Sequence, residues 1–419
     1  MNLKGGKSLL GDVEVSGAKN SALKILIASL FSHEEITLSN IPKIKSIEAE
    51  IKIMEALGSK IEFFNDNFLK IDNSRLSSFE IPEELGKNLN TAYLFAGPLL
   101  FRFGEAKIPM PDSGIESIEK FLNTWAQLNI EINFDDRFIY LRSDNSKPAE
   151  IEIQNSSHMG TDNAILSTIF LNGTSRIISI SEAIEVKDLI DFCNLFGAQI
   201  EYENKKVLKI TGKNHFKGCG FEVVSDLSEA VFFTVLSLIT NGNIVIKNID
   251  KTHMSFLMSF LNKIEANYEF INNNEFRVWK KSGKLKSFEV TASSYPNITT
   301  DFIPYFVVLA LFCDGESRIY DRSYKNKFDF IYQLNKNNAK IKIFEGIKDF
   351  EKCELIISGQ ENINLSKYKV SSFYNGIVFL LLALGLNNQI EFLDYEILES
   401  EFEKLLSKVV KLGADISYV

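Results

Sequence analysis

An internal period of about 70 residues constrains this chain more than any other feature. A helix end that turns through a small or polar residue into an extended apolar segment recurs six times. The copies are Leu57-Gly58-Ser59-Lys60-Ile61, Leu128-Asn129-Ile130-Glu131-Ile132 and Phe196-Gly197-Ala198-Gln199-Ile200, followed by Ile264-Glu265-Ala266-Asn267-Tyr268, Asn337-Asn338-Ala339-Lys340-Ile341 and Leu412-Gly413-Ala414-Asp415-Ile416. Their last residues are 61, 132, 200, 268, 341 and 416, giving spacings of 71, 68, 68, 73 and 75. A second phrase keeps the same beat. Apolar helices are expected to end at Gly104, Gly173, Gly242 and Gly315, and by position at His33 and Asn388. Glycine there suits the left-handed backbone of a helix C-terminus, and Asn is its usual substitute. Extended runs such as Asn243-Ile244-Val245-Ile246 follow. Each unit therefore reads helix, strand, helix, strand, with further strand at the junction, a small α/β layer that buries one sheet face against helices.

The period is too long for common solenoids, and six units fit two groups of three of ordinary domain size. A chain of 419 residues also exceeds what one core usually organises. The copies divide three and three near Val224-Ser225-Asp226. Residues 3–15 read as one strand that precedes the first helix and closes the sheet of the second half. The expected domains are residues 1–17 with 226–419, and residues 18–225, joined by a two-stranded hinge.

Composition excludes several classes. Hydrophobic content of 45% and charged content of 24% mark a globular chain rather than a disordered one. A net charge of −9 argues against a non-specific nucleic-acid binder. The first residues, Met1-Asn2-Leu3-Lys4-Gly5-Gly6-Lys7, carry no apolar signal region, and the apolar stretch 377–386 is too short to span a bilayer. Cys193, Cys219, Cys313 and Cys353 lie far apart, and His33, His215 and His253 show no ligand spacing, so neither a metal nor a disulfide framework is expected. The expectation is a monomeric cytosolic protein without a cofactor, contacting neither nucleic acid nor membrane.

Equivalent units place equivalent loops before their apolar helices. These loops carry Ser16-Gly17-Ala18-Lys19-Asn20, Lys87-Asn88-Leu89-Asn90, the segment 157–163, Ser225-Asp226-Leu227-Ser228-Glu229, Ile298-Thr299-Thr300-Asp301 and Ser371-Ser372-Phe373-Tyr374-Asn375. All are rich in Ser, Thr, Asn and Asp, as N-caps require. A helix start also presents free N–H groups and partial positive charge, contributing roughly 0.3–1 kcal/mol toward an anion. A cleft ringed by such starts suits a phosphorylated or carboxylated ligand.

The opening, Gly5-Gly6-Lys7, then Gly11, then Ser16-Gly17-Ala18-Lys19-Asn20, resembles that of UDP-N-acetylglucosamine enolpyruvyl transferases. Further matches are Ile41-Pro42-Lys43-Ile44-Lys45, Ala96-Gly97-Pro98-Leu99-Leu100, Arg102-Phe103-Gly104, and Thr299-Thr300-Asp301 at a helix start. The resemblance runs the length of the chain. It implies a two-domain inside-out α/β barrel of six βαβαββ-like units, three per domain, with the active site in the cleft between domains. It also implies transfer of the enolpyruvyl group of phosphoenolpyruvate to a hydroxyl of a UDP-sugar, releasing phosphate. Lys19 then contacts phosphoenolpyruvate beside Asn20, and Asp301 is the general base. Asp112 stands in for the family's loop cysteine, and Ser157, Gly160, Thr161 and Asp162 meet the UDP portion. Glu185, in Ile184-Glu185-Val186-Lys187-Asp188, matches a family glutamate, and Ser323 and Lys327 fall in a further substrate-binding segment.

The departures fall on cations. Asn90 replaces the family's arginine before the Gly-Pro-Leu helix, and Lys327 replaces another. The arginine-bearing loop is shortened to Pro111-Asp112-Ser113-Gly114-Ile115-Glu116, and the two late arginines align with Tyr374 and Ser400. Each charge-assisted hydrogen bond contributes about 1.5–3 kcal/mol, so other cations must substitute if phosphoenolpyruvate is bound. Lys325, Arg322 and Lys206 are available. Two alternatives stand beside the transferase: the same chemistry on another acceptor, and a non-catalytic relative that binds a ligand or partner.

Overall fold

A computed structural model describes residues 1–65, 67–87, 89–280, 283–321, 329–345, 353–359 and 363–418. The second position of the recurring phrase accounts for its geometry. Gly58, Asn129, Gly197, Glu265, Asn338 and Gly413 all have positive φ, from 56° at Asn129 to 115° at Gly197. Each turns the chain out of an outer helix, such as Lys45–Leu57 or Ile184–Phe196, toward an edge strand. Gly enters this region freely and Asn readily, whereas Glu265 holds it at a cost of roughly 1–2 kcal/mol.

The glycines of the second phrase behave differently from expectation. Gly104 does cap the helix Ala96–Phe103, at φ 76°. The helices His158–Thr168 and Ile303–Leu311 stop short of Gly173 and Gly315, whose φ of 128° and 92° serve the turn into the next strand. Ahead of Gly242, Asn241 takes the left-handed position at φ 49°.

Six core helices follow the beat: α1 (Lys19–Ser29), α2 (Ala96–Phe103), α3 (His158–Thr168), α4 (Leu227–Ile239), α5 (Ile303–Leu311) and α6 (Phe373–Gly385). Every residue of α5 is buried, and α4 and α6 are nearly as enclosed. A helix apolar on all sides belongs in the interior. The helices therefore lie inside and the sheets outside.

The chain forms two units, Met1–Ser16 with Ser225–Val419, and Gly17–Val224, each with its own hydrophobic core. In the unit Gly17–Val224, Ile36–Ser39 pairs antiparallel with Phe68–Asp72, which pairs in turn with Lys60–Asn65. A strand from the neighbouring copy lies parallel on the open side, Gly220–Glu222 on Ile36–Ser39 and Glu150–Glu152 on Thr174–Ile178. In the second copy this contact shrinks to the single bridge Glu80–Lys107.

The other unit repeats the plan, with Leu10–Glu14 parallel to Asn243–Lys247. Its last sheet takes its third strand from the chain's start: Asn2–Lys4 pairs antiparallel with both Gln389–Leu393 and Asp415–Ser417. Residues 3–15 are thus two strands in two sheets rather than one strand. Gly5, between them, packs so closely that a Cβ would sit 1.8 Å from the Ala383 carbonyl oxygen. Among the described residues no helix is long and apolar enough to cross a membrane, and no cluster of side chains could hold a metal ion.

Candidate active site

In the unit Gly17–Val224, α1 begins where the Ala18 N–H donates to the Val224 carbonyl at 2.7 Å. Lys19 is half-buried and Asn20 exposed. The Ser21 hydroxyl donates to Asp188, which also accepts the Val224 N–H at 3.2 Å. Burial pushes the Asp188 carboxyl up to about 6 against the pull of those two bonds. One turn further on, Lys24 meets Asp162 of α3, with Nζ and Oδ2 2.6 Å apart and the side chains 2% and 0% exposed. Burial raises Asp162 to about 6 although Lys24 lowers it. Apart from this contact, neither the ammonium nor either carboxylate oxygen has a hydrogen-bond partner among the described residues.

The start of α3 is tied down locally. The Ser157 hydroxyl accepts the Gly160 N–H at 3.2 Å. Thr161 donates its hydroxyl to the Ser157 carbonyl at 2.9 Å and accepts the Ser181 N–H at 3.0 Å. His158 stands exposed at this start. Desolvation first, then the charges of Lys24 and Lys120, lower its imidazole toward the neutral form. Asn90 is exposed at the head of the turn Asn90–Phe95 that leads into α2. Next to it the Thr91 hydroxyl donates at 2.7 Å to Glu50, whose burial holds its carboxyl well above the ordinary range. Asp112 is exposed and paired with Lys87 at 2.9 Å.

In the other unit the Ser16 N–H and hydroxyl donate to Glu229 Oε2 at 2.8 and 2.6 Å. Lys408 neutralises that buried carboxylate from its other oxygen. Asp226 caps α4 by accepting the Glu229 N–H at 3.0 Å. Asp301 is exposed one residue before Phe302 and the start of α5, and the Thr300 hydroxyl donates to the buried Asp321 at 3.3 Å. Ser372 caps α6 by accepting the Asn375 N–H at 3.3 Å, with Tyr374 exposed beside it. Tyr305 on α5 is pushed far up by burial first, then by Tyr374, Asp226, Asp301 and Glu401. The starts of α4, α5 and α6 therefore lie within electrostatic reach of one side chain.

Measured against expectation, Lys19, Asn20, Asn90, Asp112, Ser157, Glu185 and Asp301 keep at least partial exposure. Thr161 and Asp162 do not: both are fully enclosed, one in the α3 cap and the other in the ion pair. Their side chains hold the helix start and are not open to a ligand. Gly160 is buried as well, its N–H turned to Ser157. Ser323 and Lys327, with Arg322 and Lys325, lie outside the described residues. Lys206 is engaged by Glu182 at 2.9 Å. Sequence reasoning missed Lys24, Asp188, Glu229 and Lys408. Only Lys24 left a signal, as a lone charge within Ala22-Leu23-Lys24-Ile25-Leu26.

Two units of internal α-helices with sheets on their outside and polar helix starts define the class. The chain belongs to the enolpyruvyl transferases: the family model EPSP synthase (3-phosphoshikimate 1-carboxyvinyltransferase) matches residues 3–409. It is 29% identical over 417 residues to UDP-N-acetylglucosamine 1-carboxyvinyltransferase 3 of Caldanaerobacter subterraneus subsp. tengcongensis, covering 99% of this chain and 98% of that one. It is 32% identical over 343 residues to UDP-N-acetylglucosamine 1-carboxyvinyltransferase 1 of Carboxydothermus hydrogenoformans, covering 81% and 80%. Among solved structures, the enolpyruvyl transferase NikO from Streptomyces tendae shares the fold with a TM-score of 0.88 at 19% identity, covering 99% and 98%.

Proposed function

We propose that this protein transfers the enolpyruvyl group of phosphoenolpyruvate to the 3-hydroxyl of UDP-N-acetylglucosamine, releasing phosphate and supplying a peptidoglycan precursor in the cytoplasm. The observation that carries this reading is end-to-end similarity to relatives of that name, with Lys19-Asn20 and Asp301 retained at helix starts. The sugar hydroxyl adds to C2 of the alkene as C3 takes a proton, giving a phosphate-bearing tetrahedral adduct. Loss of the C3 proton and of phosphate then restores the double bond. Asp301 is the base for the hydroxyl, Lys19 the cation for phosphoenolpyruvate, and Asp112 the acid in the shortened loop. The Lys87 pair does not remove Asp112 from use, since exposed ion pairs contribute at most about 1 kcal/mol. Asn20, Asn90, Ser157, Glu185, Ser323 and Lys327 complete the substrate contacts in this reading, with Gly160, Thr161 and Asp162 behind Ser157.

The shortened loop 111–116 favours a second reading, the same transfer to a different nucleotide or sugar acceptor, whereas Asn90 and Tyr374, standing where the resemblance asks for arginines, favour a non-catalytic relative. Purified protein incubated with phosphoenolpyruvate and UDP-N-acetylglucosamine should release phosphate. No release beside an active control enzyme rejects the first reading, and an acceptor panel then tests the second. If phosphoenolpyruvate at millimolar concentration also leaves Tm unchanged, a non-catalytic relative is the remaining reading, because a ligand that prefers the folded state must raise it.

A further inference from the structure

The buried Lys24–Asp162 pair calls for an explanation beyond stability. Exchanging a buried ion pair for apolar side chains of similar volume is often neutral or stabilising, because desolvation offsets the Coulombic gain. This pair has no further hydrogen bonds among the described residues to help repay that desolvation. Its placement is what sets it apart. Lys24 lies four residues, one helical turn, beyond Asn20 in α1, and Asp162 lies one turn beyond His158 in α3. The contact at 2.6 Å ties the two helices together one turn beyond their starts. An apolar contact there would tolerate sliding and rotation, whereas an ion pair with one short approach does not. The neighbouring ties act in the same sense: Asp188 holds Ser21, and Thr161 holds Ser181.

We propose that Lys24 and Asp162 are positioning residues, a buried strut that sets the separation and register of the helix starts bearing Lys19-Asn20 and Ser157-His158, so that both address one anionic ligand. The strut itself stands on the geometry of this unit, while its link to ligand rests on the transferase reading.

The test uses the full chain with Lys24→Met/Asp162→Leu, which removes both charges, and Lys24→Met alone, which strands the carboxylate. The double variant should fold with a Tm at or above the parent's. Amide hydrogen exchange at residues 18–24 and 157–163 should nevertheless quicken at least tenfold while the rest of the unit is unchanged, and the His158 imidazole should titrate higher in NMR spectra. Where the parent turns over, KM for phosphoenolpyruvate should rise at least tenfold in the double variant, with kcat falling less. Unchanged exchange and unchanged His158 titration would overturn the strut. A double variant that does not fold would also overturn it, by making the pair a stability element. If the parent shows no turnover, the transferase reading fails alone, and exchange and NMR still decide the strut.

Discussion

The two units share one architecture and differ in what they bury. In the unit Met1–Ser16 with Ser225–Val419, α5 is apolar throughout and α6 nearly so, and the central buried charge is Glu229, taken up by Ser16 and by Lys408, which keeps 18% exposure. In the unit Gly17–Val224, α1 and α3 carry Ser21, Lys24 and Ser29, and Thr161, Asp162, Asn163, Ser167 and Thr168, all inside the core. Apolar helices would build both units equally well. The buried polar groups thus run along α1 and α3, from Ser21 to Ser29 and from Thr161 to Thr168, where α5 and α6 are filled almost wholly by apolar side chains. The contrast teaches that equivalent repeats need not bear equivalent duties.

The sharpest way to break this comparison is to strand one partner in each unit. Lys24→Met leaves a carboxylate with no access to water and should lower the unfolding free energy by about 3–5 kcal/mol in urea titrations. Glu229→Ala leaves Lys408, which reaches solvent, and the Ser16 groups, so its loss should be nearer about 1–3 kcal/mol. Equal losses would show that the two units do not differ in what their buried charges cost. Next in size is Lys19→Ala. Removing a charge-assisted contact of about 1.5–3 kcal/mol should lower kcat/KM for phosphoenolpyruvate roughly 10- to 100-fold with little change in Tm. A variant as active as the parent would take Lys19 out of the site.

A smaller effect tests the buried acids by pH. Asp162 and Asp188 both titrate near 6 in the folded chain, above the ordinary value of 3.8. The folded state thus holds protons that the unfolded chain has released, and stability should fall as pH rises from about 4 to about 6, then level off. Asp188→Asn keeps an acceptor for the Val224 N–H and should flatten part of that slope, by about 1–2 kcal/mol across the window once partial solvent contact is allowed for. A slope identical to the parent's would mean that Asp188 does not titrate there.

The repeat and the three-by-three division were legible because the left-handed turn after each outer helix demands Gly or Asn in most copies, as at Gly58, Asn129 and Gly413. The ends of the core helices were read less well. Gly173 and Gly315 do need positive φ, but in the turns beyond the helices, and composition alone does not separate a cap from the turn that follows it. The role of Asp162 was misread for a physical reason. A polar run at a helix start looks the same whether its side chains face a ligand or the core, and the deciding partner, Lys24, is far away in sequence. Likewise Asp188 and Ser21 meet across 167 positions, and Lys408 and Glu229 across 179, distances over which a single sequence carries no pairing signal.

The smallest expected effect lies on the outer sheets, where the two units are alike. Arg176 reaches Glu150 on the adjacent strand and Glu203 on the strand next but one in one unit, and Asp12 reaches Lys247 and Lys411 in the other. All six side chains contact solvent, so water and salt screen the attraction, and holding long side chains in place offsets much of the rest. Arg176→Ala and Asp12→Ala should each leave Tm within error of the parent at physiological salt, and should stay indistinguishable from one another as salt is lowered. A loss in only one unit would move the asymmetry to the surface. Equal silence in both, beside the unequal losses at Lys24 and Glu229, would place it in the cores.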